Sequence, residues 1–332
     1  MISIIVPCRI TVIVPCRITV IVPCRNERLY IDAFLDGLLA QKTDGLDWEA
    51  WIADGMSSDG TRDRVIGQSN RDARVHMVDN PGRSAASGLN AALGKSRGEI
   101  VIRMDVHTAY ADDYIARCVE TLERTGADNV GGPWRARGDS YTQRAIAAGF
   151  QSPFCAGGAR SHDPAYEGPV DSVYLGCWRR PTLDRIGWFD TALERNQDDE
   201  WNLRLVRAGG RIWQNPRIRS WYNVRPSLQA LARQYFDYGF WKVAVIRKHG
   251  QVASWRHLVP GLFLLLNVAL LAWMPRVAAE VDAPYVAMSL FFSARAAQRS
   301  GWTLLPMLPL VFAVYHFAYG LGFLWGCART II

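Results

Sequence analysis

Residues 258–274 read LVPGLFLLLNVALLAWM without a single formal charge, and residues 302–327 carry none either. A bilayer's hydrocarbon core is about 30 Å thick and takes about 20 helical residues to cross. Two segments of this kind are the strongest constraint on the fold, because whatever precedes them is held at a membrane. Asn267 is the only strongly polar residue of the first, and His316 is the one titratable residue of the second. A histidine there is expected to hydrogen-bond to a neighbouring helix. Between the two, residues 283–294 are a short apolar run followed by Arg295 and Arg299. That run reads as a short third span, a re-entrant piece or an interfacial helix.

Charge divides the rest of the chain. Residues 201–257 hold eleven Lys/Arg against the single acid Asp237, a net of +10, whereas residues 258–332 are +2 and residues 1–200 are −5. An acidic front thus leads through a basic middle into an apolar tail. A basic run beside lipid-length segments faces anionic lipid, which disfavours nucleic acid as the partner. Arg247, Lys248 and Arg256 precede the first span, so the positive-inside rule puts residues 1–257 on the cytoplasmic side of a multi-pass membrane protein. The N-terminus lacks the basic n-region and cleavage site of a secretory signal. The seven cysteines show no CxxC and no metal-ligand spacing, and in the cytoplasm they are free thiols.

Residues 2–9, 10–17 and 18–25 read ISIIVPCR, ITVIVPCR and ITVIVPCR. Repeat architectures use periods of about 20–50 residues, so an eight-residue unit is not one of them. The third copy continues into Asn26-Glu27 and is taken as the first strand of the fold, with 1–17 a duplicated segment. From there strands are expected at 18–22, 48–53, 74–78 and 99–104, and helices at 30–41, 61–69 (capped by Asp59), 84–95 and 112–125. The alternation predicts an α/β fold with a mostly parallel sheet. Ligands of such sheets sit beyond the carboxyl ends of the strands. The polar residues fall there: Asn26-Glu27, Asp54, Asn80, and Asp105 with His107.

Each candidate has a plain structural reading beside its functional one. Asp54 can be part of a glycine-containing turn, or a carboxylate that accepts from a nucleotide's base N–H or ribose hydroxyl. Asp105-Val106-His107 puts two metal-capable side chains on one side of an extended segment, and carboxylate with imidazole suits Mn²⁺. Gln197-Asp198-Asp199-Glu200 is acidic at a helix start, where the dipole favours one or two carboxylates. Three in a row suit a general base with a raised pKa. The segment 233–242, RQYFDYGFWK, reads as an interfacial helix, with pyrophosphate contacts from Arg233 and Lys242 as the functional addition. His162-Asp163 reads as a polar loop, and Asp171 precedes an expected strand at 173–176.

Taken together these motifs resemble an inverting, GT-A-fold family 2 glycosyltransferase, of the type that serves succinoglycan and related exopolysaccharide biosynthesis. The markers are VPCRNE (22–27), ADGMSSDGT (53–61), NPGR (80–83) with Gly88 and Asn90, RMDVHTAY (103–110), VGGPW (130–134), VDSVYLG (170–176), RNQDDEWNLRLVRAGG (195–210) and the 233–242 segment. The resemblance implies a GT-A catalytic domain over 18–225, a basic interfacial segment over 226–257 and a membrane domain over 258–332. It implies that Pro23, Asn26, Glu27, Asp54, Arg83 and Asp105 bind the nucleotide-sugar. Asp105 and His107 stand where the family has its DxD motif and would hold Mn²⁺ or Mg²⁺; histidine in place of the second Asp departs from the general pattern. Asp198 is implied as the catalytic base, with Asp199 in reserve. Asp171, Arg233, Gln234 and Lys242 would meet a lipid-linked acceptor and its diphosphate. The implied donor is a UDP-sugar, UDP-glucose first, and the implied acceptor a polyprenyl-diphosphate-linked sugar, with polysaccharide assembly proteins as further partners. Two alternatives remain: a polyprenyl-monophosphate sugar synthase, and a non-catalytic nucleotide-sugar-binding component of an assembly complex.

Overall fold

The computed structural model describes residues 18–329; the first two eight-residue copies, and with them the 1–17 segment, lie outside the described residues. The chain opens with strands β1 (Ile18–Cys24), β2 (Trp48–Asp54), β3 (Val75–Asp79) and β4 (Ile100–Arg103), joined by helices α1 (Ile31–Leu39), α2 (Thr61–Ser69) and α3 (Ala85–Lys95). These four strands lie side by side in the order β3-β2-β1-β4, all parallel. Their carboxyl ends therefore share one edge. β1 is apolar throughout because both its faces are covered: Val20 and Val22 pack with Phe34, Leu35 and Leu38 of α1, whereas Ile21 packs with Leu89 and Leu93 of α3. α3 comes that close because position 88 is glycine. A Cβ there would sit 2.9 Å from Asn80 Nδ2 and 3.4 Å from Pro23 Cβ.

The next elements are β5 (Thr108–Tyr110), α4 (Tyr114–Thr125), β6 (Asn129–Gly132), β7 (Ala136–Arg137), α5 (Tyr141–Phe150), α6 (Pro153–Ala156), β8 (Gly168–Pro169), β9 (Tyr174–Arg179), α7 (Arg180–Ile186), α8 (Gln197–Arg207), β10 (Ile212–Gln214) and β11 (Ser220–Asn223). They extend the sheet to β3-β2-β1-β4-β9-β6-β10-β8 and add a small second sheet, β5-β11-β7. β9 and β8 run against their neighbours, so the sheet is mostly parallel, as expected.

Four long helices follow: α9 (Leu228–His249), α10 (Val259–Trp273), α11 (Pro275–Ser300) and α12 (Leu308–Ala328). Among the described residues two helices are long and apolar enough to cross a membrane, Trp255–Trp273 and Leu308–Ala328. The 283–294 run belongs to α11, which is longer than the run suggested and carries Arg276, Glu280, Asp282, Arg295 and Arg299, so it fails that test. The two apolar helices differ in cover. α10 leaves Leu262, Leu265, Val268, Leu271 and Trp273 exposed, whereas α12 buries Val311, Phe312, Tyr315 and Phe323. α12 is notched against α9 by glycine: a Cβ on Gly239 would lie 2.1 Å from the Tyr319 carbonyl oxygen, and one on Gly322 2.0 Å from that of Phe236. Arg247 of α9 then donates to the carbonyls of Cys327 (2.8 Å) and Arg329 (2.6 Å), closing the end of α12. His316 bonds to a neighbouring helix as expected, its Nδ1 lying 3.1 Å from Tyr285 Oη, and its Nε2 lies 3.0 Å from the Phe154 carbonyl.

Candidate active site

The loops after β1 and β2 are laced together. Asn26, at φ 54°, accepts from Ser58 N–H (3.0 Å) on its Oδ1, and its own N–H donates to Ser57 Oγ (2.9 Å). Asp59 accepts from Arg28 N–H and Thr61 N–H, both at 3.0 Å, so it caps α2 from one position before the left-handed Gly60. At the end of β2, Asp54 is fully buried. Its Oδ2 accepts from Ser57 N–H (3.2 Å) and Arg62 (3.1 Å), whereas its Oδ1 has no partner. An unpaired buried acceptor costs about 1–3 kcal/mol. Arg83, also left-handed at φ 57°, is exposed, and its guanidinium makes no bond among the described residues. Asn80 turns inward, accepting from Ser87 Oγ (2.7 Å) and donating to the Ser84 carbonyl (2.9 Å), and so serves the start of α3.

Asp105-Val106-His107 is not extended, as the alternation argument assumed. β4 ends at Arg103 and the chain turns, with Thr108 N–H returning to the Asp105 carbonyl (3.1 Å). The turn brings His107 Nδ1 to 3.6 Å from Glu27 Oε1 of the β1 loop. Burial opposes a charge on His107, but the carboxylates of Glu27 and Asp105 outweigh it and raise its pKa. Asp105 is gripped by Arg103 through Nε and Nη2, both at 3.1 Å. Burial likewise opposes charge on Arg103, and Asp105 with Asp198 holds it firmly protonated.

The acids that open α8 take three different environments. Glu200 is fully buried under Arg204 (3.0 Å), Lys248 (2.8 Å) and His249 (2.8 Å). Asp199 is ion-paired with Lys242 of α9. Asp198 is the one without a close cation: its Oδ2 lies 3.7 Å from Arg103 Nη1, and its side chain is about as exposed as that of Asp199. Asp199 and Glu200 are not raised, although the cluster led one to expect it. Burial pushes Asp199 and Glu200 up, but Lys242 holds the first, and Lys248 with Arg204 the second, below the usual range.

A cavity of about 790 Å³ starts beside Asp199 and runs between the α/β part of the chain and the apolar helices. Lys242, Gln234 and Asp171 line it; Arg233 points to solvent and does not. Gln234 accepts from Arg225 Nε (3.1 Å) and donates to Tyr222 and Tyr238 (both 2.9 Å). Asp171 is ion-paired with Arg256. His162, read from the sequence as part of a polar loop, belongs to a 3₁₀ turn whose ring packs 4.5 Å from Phe150.

The family model for glycosyl transferase family 2 matches residues 19–180. Over 306 residues the chain is 31% identical to the succinoglycan biosynthesis protein ExoA of Rhizobium meliloti (strain 1021), covering 90% of this chain and 91% of that protein. This chain belongs to glycosyltransferase family 2. It is also 24% identical over 313 residues to a Methanococcus voltae enzyme named dolichyl N-acetyl-alpha-D-glucosaminyl phosphate 3-beta-D-2,3-diacetamido-2,3-dideoxy-beta-D-glucuronosyltransferase, covering 92% and 95% of the two chains. In fold it is similar to the mannosyltransferase PcManGT of Pyrobaculum calidifontis, solved with GDP-Man and Mn²⁺, at a TM-score of 0.59 and 22% identity over 93% of this chain and 87% of that one. Residues 1–349 of S. aureus TarS align at a TM-score of 0.50 and 15% identity, covering 94% and 92%.

As a family 2 glycosyltransferase of GT-A fold, the chain is an enzyme. Of the residues expected at its site, Asn26, Glu27, Asp54, Asp105, His107 and Asp198 come together along the strand edge, and Gln234, Lys242 and Asp171 line the cavity. Arg103 was missed. It is the link between Asp105 and Asp198, and its signal was legible: a guanidinium at the end of the otherwise apolar strand IVIR needs carboxylate partners. Arg256 and His257 of the cavity were missed as well, hidden in what read as the positively charged approach to a span.

Proposed function

We propose that this glycosyltransferase moves glucose, with inversion, from UDP-glucose to a lipid-linked sugar during exopolysaccharide synthesis at the inner face of the membrane. Asp198 carries the reading, as the one carboxylate of the three at the start of α8 without a close cation, joined to the strand edge through Arg103. Asp198 takes the proton of an acceptor hydroxyl; that oxygen bonds to the anomeric carbon as the bond to UDP breaks, so an α-linked donor gives a β-linkage. The unpaired Oδ1 of Asp54 accepts from the base or ribose of the donor, and Arg83 meets its phosphates. Glycosyl transfer onto a dolichyl-phosphate-linked sugar, for which the Methanococcus voltae relative is named, and succinoglycan synthesis, for which the Rhizobium one is named, support acceptor and pathway class.

A divalent ion fits the same edge. The His107 imidazole with the Asp105 carboxylate is a mixed N/O donor pair, which suits Mn²⁺ better than Mg²⁺. Among the described residues no group of three or more His, Cys, Asp or Glu forms a ready-made cage, so the donor's diphosphate would complete the shell. When bound, the ion neutralises the charge that gathers on the leaving diphosphate.

The test is UDP release by the detergent-purified protein with Mn²⁺, across a panel of UDP-sugars and GDP-mannose, with and without a lipid-linked sugar. Acceptor-dependent release with UDP-glucose and a lengthened lipid-linked glycan supports the reading. An acid-labile sugar monophosphate would replace it with the polyprenyl-monophosphate synthase. No release from protein that still binds UDP would leave a non-catalytic assembly component.

A further inference from the structure

The cavity has two chemically different ends. Toward the apolar helices its walls are Phe154, Phe263, Tyr285, Phe292 and Tyr315, and Phe154 packs against Phe292 with ring centroids 5.3 Å apart. At the end beside Asp199 stand two cations, Lys242 and Arg256, with His257 and Tyr319. His257 Nδ1 and Tyr319 Oη are buried and have no hydrogen-bond partner. Each cation is held by a resident carboxylate, Lys242 by Asp199 and Arg256 by Asp171. Buried polar atoms without partners, beside cations already assembled, describe a place prepared for an anion.

We propose that this cavity seats the acceptor lipid, with its phosphate on Arg256, Lys242, His257 and Tyr319 and its first isoprene units among the aromatic walls. The inference rests on the reading of the acceptor as a lipid-linked sugar and adds where that lipid is held. The two ion pairs are unequal in a way that suits exchange. Lys242 is buried, with 8% of its side chain exposed, and its partner Asp199 29% exposed, so this pair stays. Asp171 is 53% exposed and Arg256 26%. A pair with so exposed a carboxylate is weak, and the fork of a guanidinium matches a phosphate bidentately. Phosphate therefore takes Arg256 and releases Asp171 to water.

Binding of geranylgeranyl phosphate to the full-length protein in detergent tests this directly. Saturable binding is expected, with geranylgeraniol at least tenfold weaker and inorganic phosphate a poor competitor. Arg256→Gln should weaken geranylgeranyl phosphate by about 10- to 100-fold, the range for a lost charge-assisted hydrogen bond, and leave geranylgeraniol unchanged. Asp171→Asn removes the competing carboxylate and should tighten binding several-fold, a gain that damaged folding does not produce. Unchanged affinity in Arg256→Gln, weaker binding in Asp171→Asn, or equal competition by phosphatidylglycerol overturns the proposal. Transfer onto a lipid-linked sugar separates the two readings. Retained transfer with an unaltered acceptor KM in Arg256→Gln removes the lipid site and leaves the function. Phosphate-dependent lipid binding without any transfer removes the function and leaves the site.

Discussion

The strand edge and the cavity are built by opposite means. Along the edge, four adjacent parallel strands each deliver one polar residue or pair at their carboxyl ends, and neighbouring loops fix them by short hydrogen bonds such as Ser58 N–H to Asn26. The backbone does the placing. The cavity is enclosed by side chains from residues 134 to 319, brought together only when α9 to α12 pack on the catalytic domain. Packing does the placing there. A substitution at the edge should therefore change one ligand contact, whereas one in the cavity should also change how two parts of the protein hold together.

Asp198 adjoins the edge through Arg103 and precedes Asp199 of the cavity wall, and the largest effect is expected there. Asp198→Asn should lower kcat by about 10²- to 10⁴-fold, the usual contribution of a general base, with UDP affinity nearly unchanged. Comparable turnover in the variant would end the assignment. Next comes Asp54. Its Asn variant keeps the shape and removes the charge, so the donor KM should rise by about 10- to 100-fold while the acceptor KM holds. A change in both would mean that the edge and the cavity are not separable.

The same contrast governs what was legible in the sequence. Strands β1 to β4, their helices and the polar strand ends follow from periodicity, because a buried parallel strand is a continuous apolar run with its ligand residues at one end. Asn26, Asp54 and Asp105 were placed by that logic alone. The turn at 105–107 was not, since the strand stops at Arg103 and Thr108 N–H closes back on the Asp105 carbonyl. The pairing of Lys242 with Asp199, 43 residues earlier, leaves no local pattern, so Lys242 reads equally as a surface cation. His162 has the polar-loop composition of its neighbours, and only the fold shows its ring against Phe150.

The Lys242–Asp199 pair gives the next prediction. Lys242→Met leaves Asp199 without its partner where it is largely enclosed, and should destabilise the protein by about 3 kcal/mol, the low end for a broken buried pair because Asp199 keeps some contact with water. Adding Asp199→Asn should restore most of that loss in denaturant or thermal unfolding. Failure of the second substitution to restore it would show that Lys242 contributes through packing.

Two histidines, one in each region, titrate in opposite directions, and this gives the smallest but cleanest contrast. At the edge, carboxylates raise His107; in the cavity wall, burial lowers His162 from 6.5 to about 4, with Arg256 adding to the effect and the Phe150 carbonyl opposing it. A lowered folded-state pKa means that the unfolded chain takes up the proton first as the pH falls. The stability that neutral His162 allows is thus fully present above about pH 6.5 and is lost progressively toward pH 4. Between pH 7 and pH 5 the loss from this one ring is about 1–2 kcal/mol. Asp199 and Glu200, held low by their cations, remain charged through that window and do not mask it. His107 works in the other sense, so total stability is a poor readout and the difference between wild type and His162→Phe is the useful one. That difference should shrink by about 1–2 kcal/mol from pH 7 to pH 5, because phenylalanine keeps the ring and removes the proton site. A pH-independent difference would mean that His162 is open to water and that the cavity wall is looser than its packing against Trp134 and Phe150 implies.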